Sequence, residues 1–380
     1  MRPLSAFKHY LSNRKKFLFI FIPVLLSVIV IYTLQMLITS QYRIVHRTYV
    51  EPQKCYLSIA AKSKVIGPDT IKGILSMKAD YERVLPWVSH YTYIDNVIDS
   101  SIGTKVFTVK HEDMELLMSK MNLKIREGRL PKAGTNEIVL HYIVAGNKRL
   151  GIGDKIGGSV QRNEALEGEK EIVGLLEGES IVSFDSLEYW MKVNQVESDD
   201  YSTGMIIVPK DEKTKAIGDF LKNIDVQGLD IRTYDSVALQ NKSDLNVVNI
   251  ILTVISIMVI IIVTICTGFI SYININQRRS EFGILSAIGY TSQEIINRIF
   301  YEIFWLNVAG LITGVLLSIF VGILLNLFIF IPKGIPLLLI KPEYIIEVAC
   351  VPLFVCIFAL IPVWKMLKSL DPVTIIEGMI

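Results

Sequence analysis

The residues that could do chemistry are few, and each falls short of a site. His111-Glu112-Asp113-Met114-Glu115 starts like the helix of a zinc protease, where two histidines at i and i+4 bind the metal and the Glu beside the first is the base. The i+4 position here is Glu115, so the second ligand is missing. The remaining histidines (His9, His46, His90 and His141) have no ligand spacing either. Acidic pairs such as Asp199-Asp200 read as solvated loop. No Gly-x-x-x-x-Gly-Lys-Ser/Thr cradle for nucleotide phosphates occurs, and no Gly-x-Ser-x-Gly elbow. No catalytic, metal-binding or cofactor-binding residue is therefore assigned.

The most ordered local pattern lies in Gln277–Glu294. Arg278, Arg279 and Glu281 open a predicted short helix that places Ile284, Leu285 and Ile288 on one face. Gly289 can supply a left-handed stop. Thr291 then offers an N-cap, and Glu294 three residues on completes a capping box for the next helix. Such an amphipathic helix suits either a membrane surface or a protein partner. Further on, Gly310, Gly314, Ser318 and Gly322 recur every fourth residue and form a small-residue face. That face suits close packing on a neighbouring span or a partner protomer, although glycine is common in membrane helices generally.

The elements around these residues follow from the apolar runs. With 51% hydrophobic and 20% charged residues, the chain is too apolar for an ordinary soluble protein and too charged to lie wholly in a membrane. About 20 apolar residues cross a hydrocarbon core, and four stretches qualify: 17–39, 247–275, 303–331 and 344–364. The second is longer than a bilayer needs and should emerge as a stalk. No small-residue cleavage site follows the first, so it reads as an uncleaved anchor. Residues 1–16, with Leu4, Phe7 and Leu11 beside Lys8 and Arg14, suggest an amphipathic helix on the inner leaflet.

Lysine and arginine set the expected orientation. Arg2, Lys8, Arg14, Lys15 and Lys16 precede the first span, Arg278, Arg279 and Arg298 fall between the second and third, and Lys365 and Lys368 follow the fourth. The positive-inside rule puts all three segments in the cytoplasm, with both termini. The short 332–343 loop and the polar 40–246 region then lie outside, and 276–301 and the 365–380 tail inside. Glu302 and Glu347 are expected at span edges, where a carboxylate costs less than at the bilayer centre. Cys266, Cys350 and Cys356 sit in apolar runs, leaving Cys55 without a bridge partner in the polar region. The net charge of +2 gives no nucleic-acid footprint.

Region 40–246 is long enough to bury its own core and reads as α+β. Strands are expected at Lys54–Ala60 and Thr104–Val109, and helices at Asp69–Trp87 and Glu112–Met121. A β-rich insert is expected over about 137–208, from Ile138–Tyr142, Lys170–Leu176 and Met205–Val208 with glycine turns between. The polar Ser236–Asp244 segment should lead helically into the second span.

The Arg278–Gly289 segment strongly resembles the corresponding loop of the MacB/FtsX-like (type VII) family of ABC transporter permeases. The resemblance rests on Arg278, Glu281, Gly283, Ile284, Leu285, Ala287, Ile288 and Gly289, with Glu302 at the start of the next span. Phe282 and Ser286 replace the family's common Ile and Arg. Ile361-Pro362, Leu370-Asp371-Pro372-Val373, Gly128-Arg129-Leu130-Pro131, Glu137-Ile-Val-Leu140 and Leu150-Gly-Ile-Gly-Asp154 extend it. The resemblance implies four transmembrane helices with a large α+β extracytoplasmic domain, similar to the MacB periplasmic core, between the first two. It implies a dimer with a second copy or paralogue, and a separate cytoplasmic ABC ATPase that holds ATP and Mg. Arg278, Arg279, Glu281, Phe282, Gly283, Leu285, Ile288, Gly289 and Glu302 would couple to that ATPase. The implied function is export or extrusion of a peptide, drug or lipid-linked substrate in the cell membrane by mechanotransmission, with an extracytoplasmic protein or adaptor as a possible partner. The alternative is an FtsX-like signal transmitter that activates an extracellular cell-wall hydrolase.

Overall fold

Within a bilayer a lone chain segment must satisfy its own backbone groups, and only a helix does so. All four apolar runs are helical in the computed structural model. It describes residues 14–61, 66–76, 80–95, 101–158, 164–196, 201–210, 217–219 and 229–368. The helices are α1 (Arg14–Val45), α6 (Tyr234–Asn276), α8 (Ser292–Leu325) and α9 (Pro342–Lys368), each long and apolar enough to cross a membrane. α1 runs on through a π-helical turn at His46–Val50 and a last helical turn at Glu51–Gln53. Between α6 and α8 lies the nine-residue α7 (Arg279–Ala287). The amphipathic segment expected before Arg14 and the Leu370–Val373 motif lie outside the described residues.

The chain divides into two units: residues 1–39, 247–325 and 337–380, and residues 40–246 with 326–336. In the first, polar side chains within the spans find one another. Gln35 on α1 donates to Glu347 on α9, which gives the edge carboxylate a partner. Tyr32 donates to the Leu339 carbonyl at 3.1 Å and meets the Tyr344 ring edge-on at 5.4 Å.

The second unit is α+β and holds two sheets. One orders four antiparallel strands as β11 (Leu229–Arg232), β1 (Leu57–Ala61), β10 (Gly204–Pro209) and β2 (Tyr81–Pro86). The other orders β3 (Val88–Asp95), β4 (Ser101–Val109), β9 (Ser183–Ser186), β6 (Glu137–His141), β8 (Lys170–Glu177) and β5 (Lys124–Gly128), with β7 (Lys155–Ile156) also on β8. The period of two along each strand builds the core. On β10, Ile206 and Val208 join Phe107, Val139 and Phe184 in a cluster between the sheets. Met205 and Ile207 face the other way, onto Ile74 of α2 (Pro68–Ser76). A strand buried on both faces reads as an unbroken apolar run, and β10 does. Met114 and Leu117 of α3 (His111–Lys120) close the central cluster.

Two expectations need correction. Asp69–Trp87 is not one helix: α2 ends at Ser76, and Tyr81–Pro86 is β2, paired with β10. Val84 and Leu85 point to opposite clusters, an alternation whose meaning depends on β10, far along the chain. Residues 137–208 also form no separate β insert. Their strands β6, β8 and β9 extend the sheet that begins with β3 and β4, while β10 lies inside the other sheet. Parallel pairing of β4 with β9 and of β6 with β8 interleaves the segments.

Within this unit, segments distant in the chain are bonded together. Arg47 donates to the carbonyls of Gly178 at 2.6 Å and Glu179 at 2.8 Å, and Ile181 N–H returns a bond to the Arg47 carbonyl. Buried Gln53 donates to the Tyr56 and Arg232 carbonyls, joining the end of the first helix to the strand before α6. Asn147, on α4 (Tyr142–Lys148), donates to the carbonyls of Asp95 and Lys333. Ile335 packs beside Ile143, Val144 and Ile181. At Gly334 (φ +70°) a Cβ would come within 2.9 Å of the Ile143 carbonyl, so the close approach needs glycine.

β6 also makes stability depend on pH. Buried His141 accepts from Ile143 N–H through Nδ1, and its Nε2 donates to the Gly178 carbonyl, roles that need the neutral ring. Burial lowers its pKa to about 3, with nearby Arg47 adding to the effect. The unfolded ring titrates near 6.5, so below that pH the unfolded chain takes up a proton that the folded chain refuses. The contribution is complete above about pH 6.5 and shrinks as pH falls toward 3. Thermal unfolding of the full chain followed from pH 7 to pH 4 should show this slope, and His141→Gln should flatten it whatever its absolute stability.

Candidate functional site

Arg278 lies at the N-cap of α7, two residues past the end of α6. Its N–H bonds the Ile275 carbonyl, and Phe282 N–H bonds the Arg278 carbonyl. α7 stops at a Schellman motif: Gly289 N–H reaches Ser286 O at 3.1 Å and Tyr290 N–H reaches Leu285 O at 3.1 Å, with Gly289 at φ +104°. Two residues later α8 opens on the capping box. Glu294 N–H donates to Thr291 Oγ1 at 3.3 Å, and Thr291 N–H to Glu294 Oε2 at 2.8 Å. Local chemistry thus fixes both ends of the turn.

Packing fixes which face of α7 is covered. Phe282 is fully buried in a cluster with Ile275, Ile295, Ile299, Ile303, Cys356 and Ala359, and Leu285 packs on it from the edge. Residues three apart share a helical face, so Leu285 sides with Phe282. It does not share the outward face with Ile284 and Ile288, which are 52% and 71% exposed. The expected Ile284, Leu285 and Ile288 face is therefore split, because the cluster selects the 282–285 side.

An ion cluster locks that side. Arg278 lies buried with Nη1 at 3.0 Å from Glu302 Oε2, Nε at 3.0 Å from Glu281 Oε2, and its guanidinium 5.1 Å from the centre of the Phe282 ring. Arg298, one turn before Glu302, brings Nε to 3.4 Å from the other carboxylate oxygen. The structure thus brings Arg278, Phe282, Gly283, Leu285 and Glu302 together on the inner side. Arg279, Glu281, Ile288 and Gly289 lie on the exposed side. Arg298, expected only as one of the basic residues between the second and third spans, joins the site through its i, i+4 spacing to Glu302. Asn307, missed in the sequence, is fully buried and donates to the Ile303 carbonyl at 2.8 Å.

The small-residue face packs within the chain. A Cβ on Gly310 would meet Val24 Cγ1 at 3.0 Å, on Gly314 Val28 Cγ1 at 2.7 Å, and on Gly322 Met36 Sδ at 2.7 Å. Ser318 is fully buried and returns its hydroxyl to the Gly314 carbonyl at 2.7 Å. Each step of four on α8 matches a step of four on α1, and this register requires the two helices to run in the same direction. Among the described residues no group of three His, Cys, Asp or Glu could hold a metal ion.

Removing one partner of a buried ion pair costs about 3–5 kcal/mol. Glu302→Ala or Arg278→Ala should therefore lower the thermal midpoint of the detergent-solubilised chain clearly, whereas exposed Arg279→Ala should leave it unchanged. Overpacking costs about 1–3 kcal/mol or more, so Gly314→Leu should also destabilise, and Val28→Ala in the same chain should restore part of the loss.

Residues 253–372 match the family model described as FtsX-like permease C-terminal. No curated protein matches the sequence significantly. Among solved structures, the chain is similar to the periplasmic region of MacB from Actinobacillus actinomycetemcomitans, at 13% identity and TM-score 0.31, covering 52% of this chain and 95% of that one. It is also similar to the extracellular domain of the noncanonic ABC-type transporter YknZ from Gram-positive bacteria, at 9% identity and TM-score 0.27, covering 47% of this chain and 100% of that one. A domain of a putative permease from Porphyromonas gingivalis is similar at 10% identity and TM-score 0.25, covering 48% of this chain and 92% of that one. The family match falls on the α7 turn and the helices α6, α8 and α9 around it, so this C-terminal part of the chain is similar to the C-terminal domain of FtsX-like permeases.

Proposed function

We propose that this chain is a permease subunit through which a separate cytoplasmic ABC ATPase moves the 40–246 domain on the far side of the membrane. The observation that carries this reading is the two-sidedness of α7. Its Arg278, Phe282 and Leu285 side is fastened to α6, α8 and α9, and its Arg279, Ile284 and Ile288 side is open to a partner. A push on the open side passes directly into the end of α6 and the start of α8. At 1.5 Å per residue, the 43 residues of α6 span about 65 Å, roughly twice the hydrocarbon core. Such a helix carries displacement beyond the bilayer without a joint. The parallel run of α1 and α8 and the basic residues at 278, 279 and 298 support a cytoplasmic α7 and an external 40–246 domain.

In this reading ATP and Mg belong to the partner ATPase, and a second copy or paralogue completes the permease. The work drives export or extrusion of a peptide, drug or lipid-linked molecule in the cell membrane, with an extracytoplasmic protein or adaptor as a further partner. Purification of the tagged chain from host membranes should recover a P-loop ATPase. The Arg279→Glu, Ile288→Asp double variant should lose that ATPase at least tenfold while inserting normally. Undiminished ATPase in the variant, or cysteine labelling that puts α7 and the 40–246 domain on one side of the bilayer, would overturn the proposal.

A further inference from the structure

The 40–246 domain contains a small polar slot with an unbalanced charge. Its walls include Ser58 on β1, Ser89 and Tyr91 on β3, Lys105 on β4, and Asp230 and Arg232 on β11. A water takes roughly 10–15 Å³ of such space, so the slot's 40 Å³ or so has room for about three non-hydrogen atoms. Lys105 is 2% exposed, yet the oxygens that hold its ammonium are neutral: Tyr56 OH at 2.9 Å and Gln53 Oε1 at 3.3 Å. The charged groups that act on it are Arg232, of the same sign, and Asp230. Asp230 is already matched to Arg232, Oδ2 to Nε at 2.9 Å.

Among the described residues, one positive charge is therefore buried without a counter-ion. An ammonium has three donors, and two are spent. The Ser89 hydroxyl, also in the slot wall, is buried without a partner among the described residues. A buried unpaired charge is costly, and the site can relieve it by losing a proton or by taking in an anion. Arg232 and Asp230 at the rim stay 38% and 29% exposed, which leaves a way in from water.

We propose that this slot binds a carboxylate group, one oxygen on Lys105 Nζ and the other toward the Arg232 guanidinium, with the Ser89 hydroxyl beside them. A carboxylate has three non-hydrogen atoms and two acceptor oxygens, which suits both the space and the two cations. Sulfate and phosphate, with five non-hydrogen atoms, are too large for the slot, and chloride offers one acceptor centre where a carboxylate offers two. The free part of a larger acid, such as a peptide chain end, would leave past the rim. Occupancy bears on the joint described above, because Lys105 also holds Gln53, and Gln53 holds the Arg232 carbonyl.

Trp87 lines the slot and reports on it once Trp190, Trp305 and Trp364 are replaced by Phe. The full chain in nanodiscs is titrated with sodium formate at constant ionic strength, sodium sulfate making up the balance, and in parallel with sodium chloride and N-acetylglycine. Formate should give a saturable change in Trp87 fluorescence, and chloride or sulfate none. Burial and Arg232 lower Lys105 to about 7, so formate affinity should weaken about tenfold for each pH unit above that. Lys105→Met should abolish the change, and Arg232→Gln at the more exposed rim should weaken it at least fivefold. N-acetylglycine binding as tightly as formate identifies a chain end as the source of the carboxylate, and formate alone a free small acid. No saturable change in the wild-type chain, an equal response to chloride, or a change that survives both substitutions would overturn the proposal.

Discussion

The carboxylate of Glu302 holds the loop region together from the start of a membrane span. Arg278 reaches it from the junction of α6 and α7, and Arg298 from one turn earlier on α8. The two arginines belong to different elements, so the pairing fixes α7 against the span as well as neutralising a buried charge. Arg278 also bonds Glu281 and covers the Phe282 ring, so its five-donor plane is used on several sides at once. An isolated buried pair is weak grounds for stability. Here it serves specificity, because α7 is only nine residues long and would be marginal by itself.

Close helix contact forms the second constraint. Gly310, Gly314 and Gly322 leave room for Val24, Val28 and Met36, all fully buried on α1. Water gives no hydrophobic drive inside a bilayer, so van der Waals contact and polar pairs must hold the helices. The Gln35–Glu347 and Tyr32–Leu339 hydrogen bonds supply the polar part.

The 40–246 domain solves a different problem, that of holding chain segments firmly. Arg47, Gln53 and Asn147 each spend side-chain donors on backbone carbonyls of distant segments. Such bonds survive side-chain variation in the partner and fix backbone directly. Lys105 lies next to Gln53 and introduces a titratable group at this joint. The joint is thereby sensitive to what the slot contains.

Four spans, the short helix at 279–287, its glycine stop and its capping box were legible in the sequence because each depends on neighbours within a few residues. Apolar length, φ > 0 at Gly289 and the Thr291–Glu294 spacing are local quantities. The face of α7 that is buried was not legible, because Ile284, Leu285 and Ile288 are equally apolar and only the cluster around Phe282 separates them. The strand at Tyr81–Pro86 and the division of residues 137–208 between two sheets were hidden for the same reason. Strand partners lie far apart in the chain, Leu85 from Ile206 and Ser58 from Arg232, and a period of two has no meaning until the opposing sheet is in place. The sequence by itself determined what each segment could bury; the tertiary structure alone decided against which segment, since close packing depends on surfaces that distant parts of the chain bring together.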